Sequence, residues 1–182
     1  EWYKVDGIGI PEENNKYPLE ISNQAEALCP RYIGVVLDNV KVSQSPVWLK
    51  SILLKSGIRP INSIVDITNY LSILVGQPLH AFDYDKVIKR DTNSKEKAHI
   101  TIRMAKDGET IQTLDNNLVT LDSNTLVIAD STNPIAIAGI IGGKDTEIDE
   151  NTNRIILECA NFDRFNIRKS SMSLGIFTDA AT

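Results

Sequence analysis

RPINSIVDITNYLSILVGQPLHAFD, residues 59–83, sets how the whole chain is read. It joins a helix-like run, a glycine stop and a short polar-aromatic tail, and it holds one of only two histidines, His80. Asn62, Asp66, Thr68, Asn69, Gln77 and Asp83 alternate with strongly apolar positions. Buried polar groups are costly unless paired, so such a segment either lines a site or builds an internal network. Ile64 to Val75 reads as a helix, with Ile64, Ile67, Leu71 and Leu74 at helical spacing as its core stripe. Thr68 falls close to that stripe, and Asp66, Asn69 and Tyr70 fall on other faces. Gly76 ends the helix and Gln77-Pro78 turns the chain. His80 is therefore expected on a constrained turn just beyond a helix C-terminus.

Upstream, Ser45-Pro46 opens another helix, with Ser45 as N-cap and Gly57 at the end. Its expected apolar face is Val47/Trp48, Ile52 and Leu53/Leu54. Arg31 to Val42 is β-branched and reads as a strand with a turn near Asp38-Asn39. Residues 1–17 read as a linker or entry segment, leaving 18–182 as the domain. Downstream, Lys89 to Lys97 reads as a charged surface loop. Strands are then expected over His99–Met104, Thr110–Leu114, Leu118–Leu121, Thr125–Ala129 and Arg154–Glu158, with another apolar run over Ile135–Gly143 that ends in paired glycines. Asp163 to Leu174 reads as a last helix stopped by Gly175. Short strands at this spacing after two helices predict an α+β fold with a β-sandwich-like core and flanking helices.

The composition sets outer bounds. A chain of 182 residues, 42% hydrophobic and 24% charged, suits one domain or two closely packed subdomains. No apolar run approaches the roughly 20 residues a membrane span needs. A net charge of −5 argues against wide electrostatic capture of nucleic acid, though not against one RNA end held in place. Cys29 and Cys159 have no metal-site spacing and read as reduced thiols. The chain starts without Met or a signal-peptide core and stops inside a pattern, so a piece of a longer protein is expected.

Familiar catalytic signatures are missing from the sequence: there is no G-x-S-x-G, P-loop or H-E-x-x-H. Gly139, Gly142 and Gly143 read either as close approach of backbone to backbone or to a ligand, or as plain turn glycines. Glu158 ends an apolar strand, at the mouth of the core or in solvent. His99 is given no role.

In this order, CPRYIGVVLDNVKV, SPVWLKSILLKSGIRPINSIVDITNY, GQPLHAFDYDKV, LVIAD, PIAIAGIIGG and RIILECANFDRFNIRKSS resemble the B3/B4 region of the bacterial phenylalanyl-tRNA synthetase β subunit. The resemblance runs from about Pro18 to Thr182. It implies a cytoplasmic, membrane-free editing module that hydrolyses tyrosine wrongly attached to tRNA(Phe). It also implies as partners the tRNA(Phe) acceptor end and an α subunit in an α2β2 enzyme. That whole enzyme uses ATP and Mg2+ elsewhere to charge phenylalanine, and no cofactor or metal is expected in this segment. By the same resemblance, Thr68, Asn69 and His80 hold the amino group, the ester carbonyl and the attacking water. Glu158 accepts the tyrosine hydroxyl, Ala138, Gly139 and Gly142 let the substrate lie against backbone, and Leu114, Thr178 and Ala180 complete the wall. Phe177 stands where many relatives carry a basic residue. A free-standing editing protein acting in trans, and a non-catalytic RNA-docking or scaffold domain, are the alternatives.

Overall fold

The computed structural model describes residues 16–178. The chain begins with β1 (Leu19–Asn23) and β2 (Arg31–Leu37), followed by α1 (Val47–Lys55) and α2 (Ser63–Val75). Next come β3 (Leu79–Asp83), α3 (Tyr84–Arg90) and β4 (Ala98–Met104). A run of short strands follows: β5 (Thr110–Gln112), β6 (Leu118–Thr120), β7 (Leu126–Ala129), β8 (Pro134–Ile137) and β9 (Ile141–Gly142). After a 3-10 turn at Lys144–Thr146, β10 (Ile155–Asn161) and α4 (Arg164–Leu174) complete it.

Two sheets make the core. One has five strands in the order β1-β4-β7-β8-β9, and the other has three in the order β2-β10-β3. Among the described residues only the β1/β4 pair is parallel. Phe82 and Ile156 from the smaller sheet join Ile100, Ile102, Leu126, Ile128, Ile135 and Ile137 from the larger one in a single buried cluster. Strands β7 and β8 are buried at every position, as central strands covered on both faces are. The architecture is α+β with a sandwich-like core, as the strand spacing predicts.

Four local expectations are corrected. The α2 stripe is not apolar: Ile67 is 46% exposed and Leu74 58% exposed, whereas Asp66 is fully buried and Thr68 nearly so. Asp66 faces inward because it has partners there. Its carboxylate accepts the Ser45 hydroxyl at 2.5 Å and the Ile61 N–H at 2.7 Å, tying the entry of α1 to the start of α2. Ser45 is thus spent on Asp66 and does not cap α1, whose N-cap position is Pro46. The buried face of α1 is Leu49 and Leu53, while Val47, Trp48 and Leu54 are exposed and Trp48 meets Tyr70 edge-on at 5.6 Å. His80 lies within β3, not on a turn.

The expected loop 89–97 starts inside α3, and Asp91 beneath it is buried, accepting from Asn93 N, Ser94 N and the Ser131 hydroxyl. The sequence reading also misses β1. Residues 1–15 of the expected entry segment lie outside the described residues, and Tyr17 packs edge-on against Tyr84 at 5.9 Å.

These partners set the cost of substitution on α2. Asp66→Ala takes the acceptor from the buried Ser45 hydroxyl and from the Ile61 N–H, a loss of about 2–3 kcal/mol. Ile67→Ala, on the exposed face, is expected to cost under about 1 kcal/mol. Urea unfolding of both variants checks the ranking, and an equal or larger loss from Ile67→Ala contradicts it.

Candidate functional site

The site is built on the pairing register of β10. In that register Glu158 stands directly opposite His80 on β3 and opposite Gly34 on β2. Residues opposite one another in an antiparallel pair point to the same side. This side also carries Ile156 and Phe82, so it faces the other sheet. A carboxylate and an imidazole thus replace core side chains at one end of the sandwich interface.

Glu158 is 7% exposed. Burial pushes its carboxyl up to about 7, against the opposing pull of the Tyr32 hydroxyl, which donates to Oε2 at 2.6 Å. Burial raises the Tyr32 phenol well above its ordinary range, and the adjacent Glu158 charge adds to the shift. Burial also holds the His80 imidazole down at about 4, so it is neutral at neutral pH. Its ring meets Phe82 edge-on at 4.5 Å and makes no hydrogen bond with the described residues.

His80 and Glu158 open into a cleft of about 590 Å³. Its walls are the Gln77–His80 segment, the Ala138–Ile141 turn between β8 and β9, the end of β10 and one face of α4. Gly139 has φ +64°, a conformation that favours glycine. No described group accepts its N–H. At Gly142 a Cβ would stand 2.8 Å from His80 Cε1 and 3.0 Å from Leu114 Cδ1, so the bare backbone leaves room for the imidazole. Leu114 N donates to the Gly142 carbonyl at 3.0 Å, and the Thr178 hydroxyl donates to the Ile140 carbonyl at 2.8 Å.

The expected site residues separate into groups. His80, Ala138, Gly139 and Glu158 line the cleft. Gly142 and Leu114 back the His80 ring, and Thr178 braces the turn from behind. Thr68 and Asn69 are not brought to the cleft lining: they sit in α2, with the Thr68 hydroxyl spent on the Val65 carbonyl and the Thr68 carbonyl on Ser72. Ala180 lies outside the described residues. The sequence reading misses Tyr32, whose placement on the inward parity of β2 is the signal that finds it, since a buried tyrosine hydroxyl needs a partner. Among the described residues no three His, Cys, Asp or Glu side chains gather to hold a metal ion.

A paired carboxyl, a neutral imidazole and exposed backbone in one half-enclosed cleft can bind a polar head on an apolar body and orient water beside it. The model of the B3/4 domain family matches residues 28–182. The chain belongs to the B3/4 domain family. It is 47% identical over 172 residues to the phenylalanine–tRNA ligase β subunit of Carboxydothermus hydrogenoformans, covering 94% of this chain and 21% of that protein. It is 48% identical over 168 residues to the β subunit of Protochlamydia amoebophila, covering 92% and 20%. This B3/4 chain therefore spans about a fifth of the length of these curated relatives. Its fold matches a crystal structure of an N-terminal fragment of the phenylalanyl-tRNA synthetase β subunit from Pyrococcus horikoshii. The TM-score is 0.56 at 12% identity, covering 92% of this chain and 51% of that one.

The raised Glu158 carboxyl has a thermodynamic signature. Its folded value, about 7, lies above the ordinary 4.5, so the native state holds the proton more tightly than the unfolded chain. Its stabilising contribution is complete below about 4.5 and is lost as pH rises through 7. His80 acts in the opposite sense between 6.5 and about 4, and a Glu158 variant leaves that part in place. Glu158→Gln is therefore expected to gain stability relative to the parent between pH 5 and pH 8. Urea midpoints across that range are the check, and a difference that stays flat rules out the raised value.

Proposed function

We propose that this chain is the editing module of a phenylalanyl-tRNA synthetase β subunit, hydrolysing tyrosine misattached to tRNA(Phe). The observation that carries the reading is the buried Glu158 carboxyl in the wall of an otherwise largely apolar cleft, oriented by Tyr32. A pocket shaped for phenylalanine rejects an added hydroxyl only by about 10², which makes a second, hydroxyl-dependent check useful. In that check the tyrosine phenol pairs with Glu158. A phenylalanine ring leaves the buried carboxyl without that partner, at a cost of about 1–3 kcal/mol.

The ester is already activated, so the reaction needs no strong nucleophile. Water adds to the ester carbonyl and the bond to the ribose oxygen breaks, releasing tyrosine and a free 3′ end. The neutral His80 ring has its nitrogens available to hold or orient that water, and the unpaired Gly139 N–H suits a carbonyl oxygen. Gly142 keeps the imidazole where the cleft needs it. From α2, Ser72 then ties the Thr68 carbonyl to Leu79 N at the start of β3. The proposed partners follow from the same reading: the tRNA acceptor end at the cleft, and an α subunit that charges phenylalanine with ATP and Mg2+ in an α2β2 enzyme working in the cytoplasm.

The direct test is deacylation of Tyr-tRNA(Phe) by the whole synthetase, with and without Glu158→Ala. Clearance of tyrosine is expected to fall at least about tenfold, the loss matching one buried hydrogen-bond partner, with phenylalanine charging unchanged. Equal clearance by the two enzymes removes Glu158 from the role assigned to it.

A further inference from the structure

The same cleft has a charged rim that the chemistry at its base does not use. Arg164, Phe165 and Arg168 lie along one face of α4, and all three line the cleft. All three are exposed, Phe165 to 69%. Arg90, Arg103 and Arg154 each spend their guanidinium on a carboxylate. Arg164 and Arg168 have no carboxylate partner among the described residues, although the chain carries a net charge of −5. The two stand four residues apart, where like charges on a helix repel. No acid sits three or four positions from either one. The Arg164 guanidinium lies over the Phe165 ring, 4.8 Å from its centroid. Two unneutralised forks flanking an exposed aromatic face are a chemistry suited to phosphates and to a stacked base.

We propose that this face of α4 is a docking subsite for the last nucleotides of a single-stranded RNA 3′ end, holding them so that the terminal ester enters the cleft. The inference rests on the editing reading and adds to it the residues that receive the RNA. Arg168 and Arg164 take phosphate oxygens, and Phe165 with the Arg164 plane offers a stacking surface. The sequence-independent character of such contacts fits an end that all tRNAs share. Discrimination stays with the amino acid in the pocket below.

The test separates rim from pocket. A fluorescein-labelled single-stranded oligoribonucleotide ending in CCA, carrying no amino acid, is titrated onto the parent, Arg164→Gln/Arg168→Gln, Phe165→Ala and Lys169→Gln at several salt concentrations. The double variant is expected to bind about tenfold more weakly and to lose about 0.7 from the salt slope per phosphate contact. Phe165→Ala is expected to lose affinity without changing that slope. Lys169 neighbours Arg168 but does not line the cleft, and its loss is expected to matter little. Unchanged binding in the double variant, or an equal loss from Lys169→Gln, overturns the proposal. The pocket is read independently by adding free tyrosine and following the His80 ring resonances. Failure of tyrosine to shift them counts against the editing reading, while the oligonucleotide titration still decides the rim.

Discussion

The register of β10 between its two neighbours is the constraint from which the site follows. One alignment places Glu158 opposite His80 and sets Tyr32 within reach of the same carboxylate. Sheet geometry makes this an all-or-none arrangement. A slip of a single residue turns every side chain of β10 to the other face, putting Glu158 and Ile156 outside and Leu157 and Cys159 inside. The hydrophobic cluster containing Ile156 and Phe82 resists that slip. The apolar core thereby enforces the placement of two polar groups that contribute little to it.

The buried carboxyl is tolerable because it is neither isolated nor forced to carry a charge. Tyr32 supplies one hydrogen bond, and a value near 7 lets Glu158 hold a proton over part of the physiological range. His80 reaches neutrality the other way, by giving its proton up. Two groups whose environments push their proton affinities toward opposite neutral forms can share a core face without an ion pair. Such perturbed pairs in clefts are a recurring mark of functional sites. They also distinguish this face from the rest of the sandwich, where the same rows are filled by isoleucine, leucine and phenylalanine.

Strand existence was legible in β-branched runs and turn residues, and so was α4, from Asp163 at its start to Gly175 at its end, where φ is +67°. The inner face of α2 was not legible, because the rule that apolar residues mark the buried side fails when polar residues are fully partnered. Asn62 caps the helix through Ile64 N and Val65 N, Asp66 binds Ser45 and Ile61, and Asp83 takes the Thr152 hydroxyl and Lys86 N. Most of the polar density in residues 59–83 thus builds a scaffold, and His80 alone of its titratable groups reaches the cleft. The strand bearing His80 is hidden in the sequence for a related reason. Its partner lies almost eighty residues later, at Glu158, and the five residues LHAFD carry no signal of that pairing. The resemblance to the synthetase region names His80 and Glu158 together, but only the strand pairing puts them on one row. Tyr32 and the arginine pair on α4 are not legible in the sequence because neither forms a local pattern. One is defined by a cross-strand partner, the others by the absence of one.

The scaffold also accounts for how a cleft can stay open beside a well-packed core. Unfilled space next to isoleucines normally collapses or costs stability, so something must hold the walls apart. Here the wall at 76–80 is fixed by backbone and amide contacts. Ser72 accepts from Leu79 N, and Gln77 donates to the Ala160 carbonyl across the strand end. The opposite wall is fixed by the Ala138–Ile141 turn, whose Ile140 carbonyl is taken by Thr178 and whose Gly139 rests under Ile167 and Phe162. Both walls are therefore secured by hydrogen bonds and glycine geometry instead of by filling the gap with side chains. Under the editing reading this matters more than any single polar contact. A pocket that discriminates by a hydroxyl must keep its shape when empty, because a wall that closed onto Glu158 would satisfy the carboxyl from within and erase the penalty on the ring that lacks a hydroxyl.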